Sequence, residues 1–252
     1  DDDFTSQADV DAYNTANSTN YLWGYDAFGT VQNGVDGVSG STVFVLQGVY
    51  EEQVEIAADI TLTGTGQGVT TIRSPVTLTK FFSTGPNNYP VIYCHDAGAI
   101  TIQQLTVDGA GRGNANYRFQ GIAYRNAGGA VDNCEIKDIR NTPIDGSQHG
   151  VGLYALADDG NARTLTVLFT TISGFQKNGT VFAGADLSAN AAANTVTGAG
   201  PVTFIAQNGI QMSFGATGNI AGNTVSGFSY TPATYASCGV LIYAAASPVN
   251  TT

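Results

Sequence analysis

Charge is what this chain has least of. Only 12% of its 252 residues are charged, low for a folded domain. Long helices draw on Leu, Glu and Lys, so the shortage argues against a helical fold. Positive charge is scarcer still: 9 Lys and Arg stand against 20 Asp and Glu, a net charge of −11. That balance gives no electrostatic footprint for nucleic acid or for an anionic membrane surface. It also makes a strongly anionic polysaccharide a poor partner. Cysteine is nearly absent: Cys94, Cys134 and Cys238 are odd in number and widely spaced, which suggests neither a disulfide framework nor a zinc knuckle. There is no run of about eighteen apolar residues, and hence no membrane-spanning helix is expected. The first residue is not Met, and the opening Asp1-Asp2-Asp3 reads as a mature end left by signal removal, or as a trimmed chain. Secretion to the extracellular space or cell surface is the expectation that follows.

What is present is glycine, 32 of it, with many Thr, Asn, Ser and Ala, and a repeat. Gly121, Gly150, Gly179, Gly209 and Gly239 recur at intervals of about thirty residues. Three residues after each stands Tyr124, Leu153, Phe182, Met212 or Ile242, an apolar column. A second column comprises Val107, Ile136, Ile172, Val196 and Val225. Two residues before its members stand Leu105, Cys134, Thr170, Asn194 and Asn223, where stacked asparagines predict a side-chain amide ladder. Mixed positions between the apolar ones match side chains alternating across a strand. No segment keeps apolar residues at i, i+3, i+4 and i+7, which disfavours a helical repeat, and propeller blades would be longer and hairpin-linked. The reading is an all-β chain: a right-handed, single-stranded parallel β-helix, a solenoid of stacked coils.

Weaker matches extend upstream. Thr42–Leu46, Gln53–Ile56 and Ile60–Thr63 read as strands, and Pro90–Cys94 aligns with the glycine-led lines. Residues 1–40 are expected to form an N-terminal cap, with a short helix around Ala8–Tyr13 over the mouth and Trp23 packed in it. Residues 41–252 are expected to form the β-helix, whose last coil has no capping element, so a further stretch of chain or another subunit is expected to cover it. Cys134 should pack inside and Cys94 should face outward. Glu51, Glu52 and Glu55 are expected to serve solubility. Arg125 and Tyr154, outward and one coil apart, are expected to stack as a cation–π pair.

The run Val43-Phe-Val-Leu-Gln-Gly-Val-Tyr-Glu-Glu-Gln-Val-Glu-Ile56, followed by Ile60-Thr-Leu-Thr-Gly64, resembles the first coil of pectin-esterase-like and pectate-lyase-like right-handed β-helix proteins. Asn208-Gly-Ile and Asn223-Thr-Val-Ser-Gly227 resemble the repeat of secreted surface β-helix proteins. The resemblance spans roughly residues 40–245 and implies a fold rather than an activity. Such families include lyases, epimerases, esterases, adhesins and tailspikes. The esterases' two Asp and one Arg have no counterpart at matching positions, and neither has the lyases' dense calcium-binding acidic cluster.

The candidate site comes from loop lengths. The segment from the second column to the next glycine is shorter after Ile172 than in the neighbouring coils. That predicts a notch with Phe175, Gln176 and Lys177 on its floor. Tyr117, Arg118, Asp145, His149, Gln207, Tyr230 and Tyr235 would form its sides. Aromatic faces and amides suit sugar binding, and Lys177, His149 and Asp145 are the candidates for acid–base chemistry. Against catalysis, a His just before a strand more often satisfies a turn. No cofactor or metal is implied: Asp158-Asp159-Gly160-Asn161 looks like a calcium-loop fragment but lacks the later ligands, and reads as a turn. Two functions follow. One is an extracellular structural or surface protein that self-associates end to end through its solenoid ends into fibres, or that mediates adhesion. The other is a polysaccharide-active enzyme (lyase, epimerase or hydrolase) or a glycan-binding module.

Overall fold

The computed structural model describes residues 1–252. It is a right-handed parallel β-helix made of three sheets. The first contains Thr42–Phe44, Thr61–Thr63, Ile100–Gln103, Gly129–Asp132, Arg163–Leu168, Leu187–Ala192, Thr217–Ala221 and Val249–Thr251. The second runs from Val54–Ile56 through Asn87–His95, Phe119–Arg125, Val151–Leu156, Asn178–Ala183 and Asn208–Ser213 to Cys238–Tyr243. The third stacks Gly48–Glu51, Thr70–Arg73, Thr106–Asp108, Glu135–Lys137, Thr171–Ser173, Thr195–Val202 and Thr224–Tyr230. Pairing is parallel throughout, apart from a short antiparallel hairpin of Phe82–Ser83 on Asn87–Asn88. One continuous core, from Val31 to Ile220, fills the interior.

The second column forms as read and reaches further. Val107, Ile136, Ile172, Val196 and Val225 are successive partners, with Ile72 and Tyr50 preceding them. The asparagine ladder is also present. Asn194 Oδ1 accepts from the Thr170 N–H at 3.0 Å, and Asn223 Oδ1 accepts from both the backbone and the side-chain nitrogen of Asn194 at 2.9 Å. Each amide therefore satisfies backbone groups at a bend where the ladder of strands is interrupted.

The glycine column departs from the sequence alignment in one coil. Gln120 pairs with Val151, and Val151 with Asn178, so Gly152 rather than Gly150 stands between Gly121 and Gly179. Gly150 lies in the turn before, at φ +82°, a left-handed conformation that also favours glycine. The apolar column is accordingly Tyr124, Ala155, Phe182, Met212 and Ile242, while Leu153 aligns with Ile122 and Thr180. Close approach explains the glycines. A Cβ on Gly121, Gly152 or Gly179 would lie 2.5, 2.6 or 2.7 Å from the next glycine's carbonyl oxygen. It would also strike Ile136, Ile172 or Val196 of the second column. The two sequence columns are thus one packing device, small residues accommodating branched ones.

Cys94 corrects another expectation. Its register with Tyr124 places it inside, fully buried, and burial pushes its thiol pKa up. Cys134 is buried as expected, its thiol raised to about 12 by the same cause. Both are inert packing residues.

At the N-terminal mouth two helices precede the first strand: α1 (Gln7–Asn17) and α2 (Val31–Asp36). The sequence reading anticipated only α1, which packs Val10 against Phe4 and Ala27 away from the main core. The segment that enters the core is α2, through Val31 and Val35. Six residues are too few to show a helical period, which is why pattern reading passed over them.

Candidate functional site

The unequal loops do not leave an open notch. The loops before and after the short coil fold toward each other over it, so that a Cβ on Gly146 would lie 2.9 Å from the Phe204 carbonyl oxygen. Phe175 and Gln176 beneath are buried, and Phe175 stacks on Phe228 at 6.1 Å. Gln176 ties the layer together. Its Oε1 accepts from the Asn141 N–H (2.8 Å), and its Nε2 donates to Asp145 Oδ1 (2.7 Å) and the Ser147 carbonyl (3.1 Å). Gln207 does the same one coil on, accepting from Ala199 N–H at 2.7 Å and donating to the Phe175 and Gln176 carbonyls. Both amides are buried and spend both N–H donors within the fold, which leaves no donor for a sugar hydroxyl.

The charged candidates are similarly engaged. The Asp145 carboxylate takes hydrogen bonds from the Asn141 side chain, from Ser147 and from Gln176, which hold its pKa at about 2. It is a fixed anion and not a proton donor at neutral pH. His149 is buried, and its Nδ1 accepts from the Phe119 N–H at 3.4 Å. Burial lowers its pKa, partly opposed by the Asp145 charge, and Tyr117 packs on the ring at 5.1 Å. Lys177 is half-buried, donates to the Ala206 carbonyl at 2.5 Å, and has its pKa lowered by desolvation. Arg118 turns away, to Asn88 Oδ1 at 2.8 Å and to Thr84 on the hairpin. Tyr230 and Tyr235 pair with each other at 6.3 Å on the coil beyond. Asp145, His149, Gln176 and Tyr117 are therefore brought together, while Arg118 and the tyrosine pair are not part of that group.

Other polar groups show roles the sequence did not disclose. Along the third sheet, Glu51, Arg73, Asp108 and Lys137 are aligned partners, a column of alternating charge. Within it Arg73 Nε meets Asp108 Oδ2 at 3.3 Å, and Glu51 reaches across to Arg112 at 2.8 Å. Glu55 is no mere solubiliser: it binds Lys80 at 2.8 Å and His95 Nε2 at 3.1 Å, with Asp96 on the other imidazole nitrogen at 2.8 Å. The expected Arg125–Tyr154 stack does not form. Arg125 is aligned with Leu156 and pairs with Asp158, whereas Tyr154 rests on Phe82 at 5.9 Å. Asp158–Asn161 form a turn, in which Asp159 accepts from the Asn161 N–H at 3.1 Å and pairs with Arg163 at 3.2 Å.

The class these features define is the right-handed parallel β-helix with a helical N-terminal cap. No family model matches the chain, and no curated protein matches it. Among solved structures it is similar to a pectin methylesterase variant crystallised with a hexasaccharide, at 12% identity and a TM-score of 0.38. That alignment covers 80% of this chain and 66% of the other.

Proposed function

We propose that the protein is a secreted structural β-helix of the cell surface or extracellular space, and that it self-associates through its last described coil. One observation carries this reading. The inward columns that are buried at Ile210 and Met212 continue to Val240 and Ile242, which are left exposed at the end of the column, Ile242 being 48% exposed. Within residues 1–252 no strand pairs with the outer edges of Thr224–Tyr230, Cys238–Tyr243 and Val249–Thr251. Between them is a recess of about 210 Å³ among Ile220, Asn223, Val225, Val240, Thr251 and Thr252. Unpaired strand edges bordered by apolar side chains accept further strands. The opposite end is covered by α2, so a head-to-tail contact would have to displace the cap. A tail-to-tail contact with a second copy needs no such displacement; being two-fold, it closes at a dimer. The engagement of Asp145, His149 and Lys177 in the fold also favours a structural task over catalysis.

Sedimentation velocity over a concentration series tests the proposal. A dimer that dissociates on dilution and is abolished by Ile242→Lys is expected. A monomer at every concentration, or a dimer indifferent to Ile242→Lys, contradicts it. Fractionation of the source cells tests the location: the protein belongs in the medium or on the surface, and a cytoplasmic protein would contradict that part. The enzyme reading has its own check. Lys177→Ala and His149→Ala are expected to lower the melting temperature; loss of polysaccharide turnover at an unchanged melting temperature would restore that reading.

A further inference from the structure

A cavity lies at the other end from the proposed association face. It measures about 380 Å³ and lies between the cap and the outer edge of Thr42–Phe44, which has no strand beyond it. That volume falls in the range of small-molecule sites. Its walls are unusually aromatic, with Tyr13, Tyr21, Tyr25, Phe28 and Phe44 among the lining residues. Tyr25 and Phe44 are 76% and 75% exposed at the surface, so rings stand in water beside a recess, as an open binding site requires. The cap folds this way because α1 and the following loop pack Phe4, Val10 and Ala27 together, with Tyr13 against them, leaving the remaining tyrosines to border the strand edge.

The polar groups narrow the chemistry. The phenol oxygens of Tyr13, Tyr21 and Tyr25 make no hydrogen bond within the protein, whereas Tyr50 spends its own on the Leu46 carbonyl at 3.2 Å. One oxygen of Asp26 accepts from the Leu22 N–H at 2.6 Å and the other is free. The strand edge adds outward backbone groups. A purely apolar ligand would leave these donors and acceptors unpaired on burial, which is unfavourable. A pyranose uses both kinds of wall: its C–H face lies on a ring and its hydroxyls reach phenols, carboxylate and backbone. Charge selects further. Asp1 and Asp26 line the cavity and no Lys or Arg does; the α-ammonium of Asp1 is bonded to the Phe28 carbonyl at 3.1 Å, so the two carboxylates are in excess.

We infer that this cavity is a glycan subsite for a neutral or amino-substituted pyranose, and that it turns away acidic sugars. The site is independent of the association face: either can fail without the other. Trp23, the only tryptophan, lies in the same segment between Tyr21 and Tyr25 and reports on the site by fluorescence. Titrations of the full 252-residue chain would use a glucosamine tetrasaccharide, cello- and manno-tetraose, and tetragalacturonate. The glucosamine oligomer should bind most tightly at low salt and a neutral oligomer more weakly, with no response to tetragalacturonate. Tyr25→Ala, a change at an exposed ring, should weaken binding about tenfold or more, whereas Phe169→Ala, an exposed ring elsewhere on the solenoid, should not. Failure of the amino and neutral oligomers to bind at millimolar concentration would overturn the inference. So would equal binding of tetragalacturonate, or binding that Tyr25→Ala leaves unchanged.

Discussion

At the N-terminal end of the solenoid, side chains take the place of the missing coil. The Gln32 amide pairs with Glu55 as a neighbouring strand would, accepting from its N–H at 2.7 Å and donating to its carbonyl at 3.1 Å. Asp2 accepts from the Val49 N–H at 3.0 Å, and glycine at position 48 leaves room for that carboxylate. Glu52 in turn caps α2, taking the Val31 and Gln32 N–H groups at 2.8 and 2.9 Å. At the C-terminal end the same three sheets stop with bare edges and with Val240, Ile242 and Tyr243 in solvent. The coils differ in regularity too: strands of the first sheet begin at Thr42, Thr61 and Ile100 near the mouth, and at Leu187, Thr217 and Val249 in the last coils. Polar groups outside the repeat satisfy Glu55 and Val49 near the mouth, while the edge of Thr42–Phe44 stays open to the cavity; the proposed association draws on the uncovered edges of Cys238–Tyr243 and Val249–Thr251.

The largest effect that sharpens this contrast lies in the glycine column. At Gly179 an added Cβ would sit 2.5 Å from Val196 Cγ1 and 2.7 Å from the Gly209 carbonyl oxygen, while at Gly239 the nearest atom is Val225 Cγ1 at 3.2 Å. Gly179→Ala should therefore cost about 3 kcal/mol and Gly239→Ala close to nothing, as measured by urea unfolding. Equal losses would mean that the last coil is as tightly packed as the middle. Next comes the cap. Gln32→Ala orphans both backbone groups of Glu55 and should cost about 1 kcal/mol; with the edge uncovered, the variant should also associate through its N-terminal end. A Gln32→Ala protein with unchanged stability and association would show that α2 alone closes the mouth. The smallest effect concerns pH. Because the folded pKa of Asp145 is depressed from 3.8 to about 2, its contribution is fully present above about pH 4 and is lost as pH falls toward 2. Asp145→Asn should be less stable than the parent at pH 6, and the gap should close near pH 2. A gap that is constant with pH would contradict the hydrogen-bonded carboxylate.

The repeat was legible because it is set by packing. A branched residue facing a glycine carbonyl in every coil leaves a mark at a fixed period, and the asparagine ladder leaves another. The slip at Gly150 arose where two glycines two residues apart meet different needs, one a left-handed turn and the other close approach. Sequence spacing does not distinguish those causes. Loop lengths are legible in the sequence but their consequence is not, since long loops can stand as walls or bend over a short neighbour, and Gln176 and Gln207 secure the second outcome. The cap was the least legible part. The pairings of Gln32 with Glu55 and Asp2 with Val49 join residues far apart in sequence and follow no period. The aromatic cavity beside them shared that obscurity, although the cluster Tyr21, Trp23 and Tyr25 is visible in the chain.

Hydrogen exchange followed by mass spectrometry at low and high protein concentration tests the difference between the ends most directly. Amides of Cys238–Tyr243 and Val249–Thr251 should gain protection as concentration rises, with Val54–Ile56 unchanged. Protection that does not change with concentration, or that grows at the N-terminal mouth instead, would contradict the assignment of the last coil as the association face.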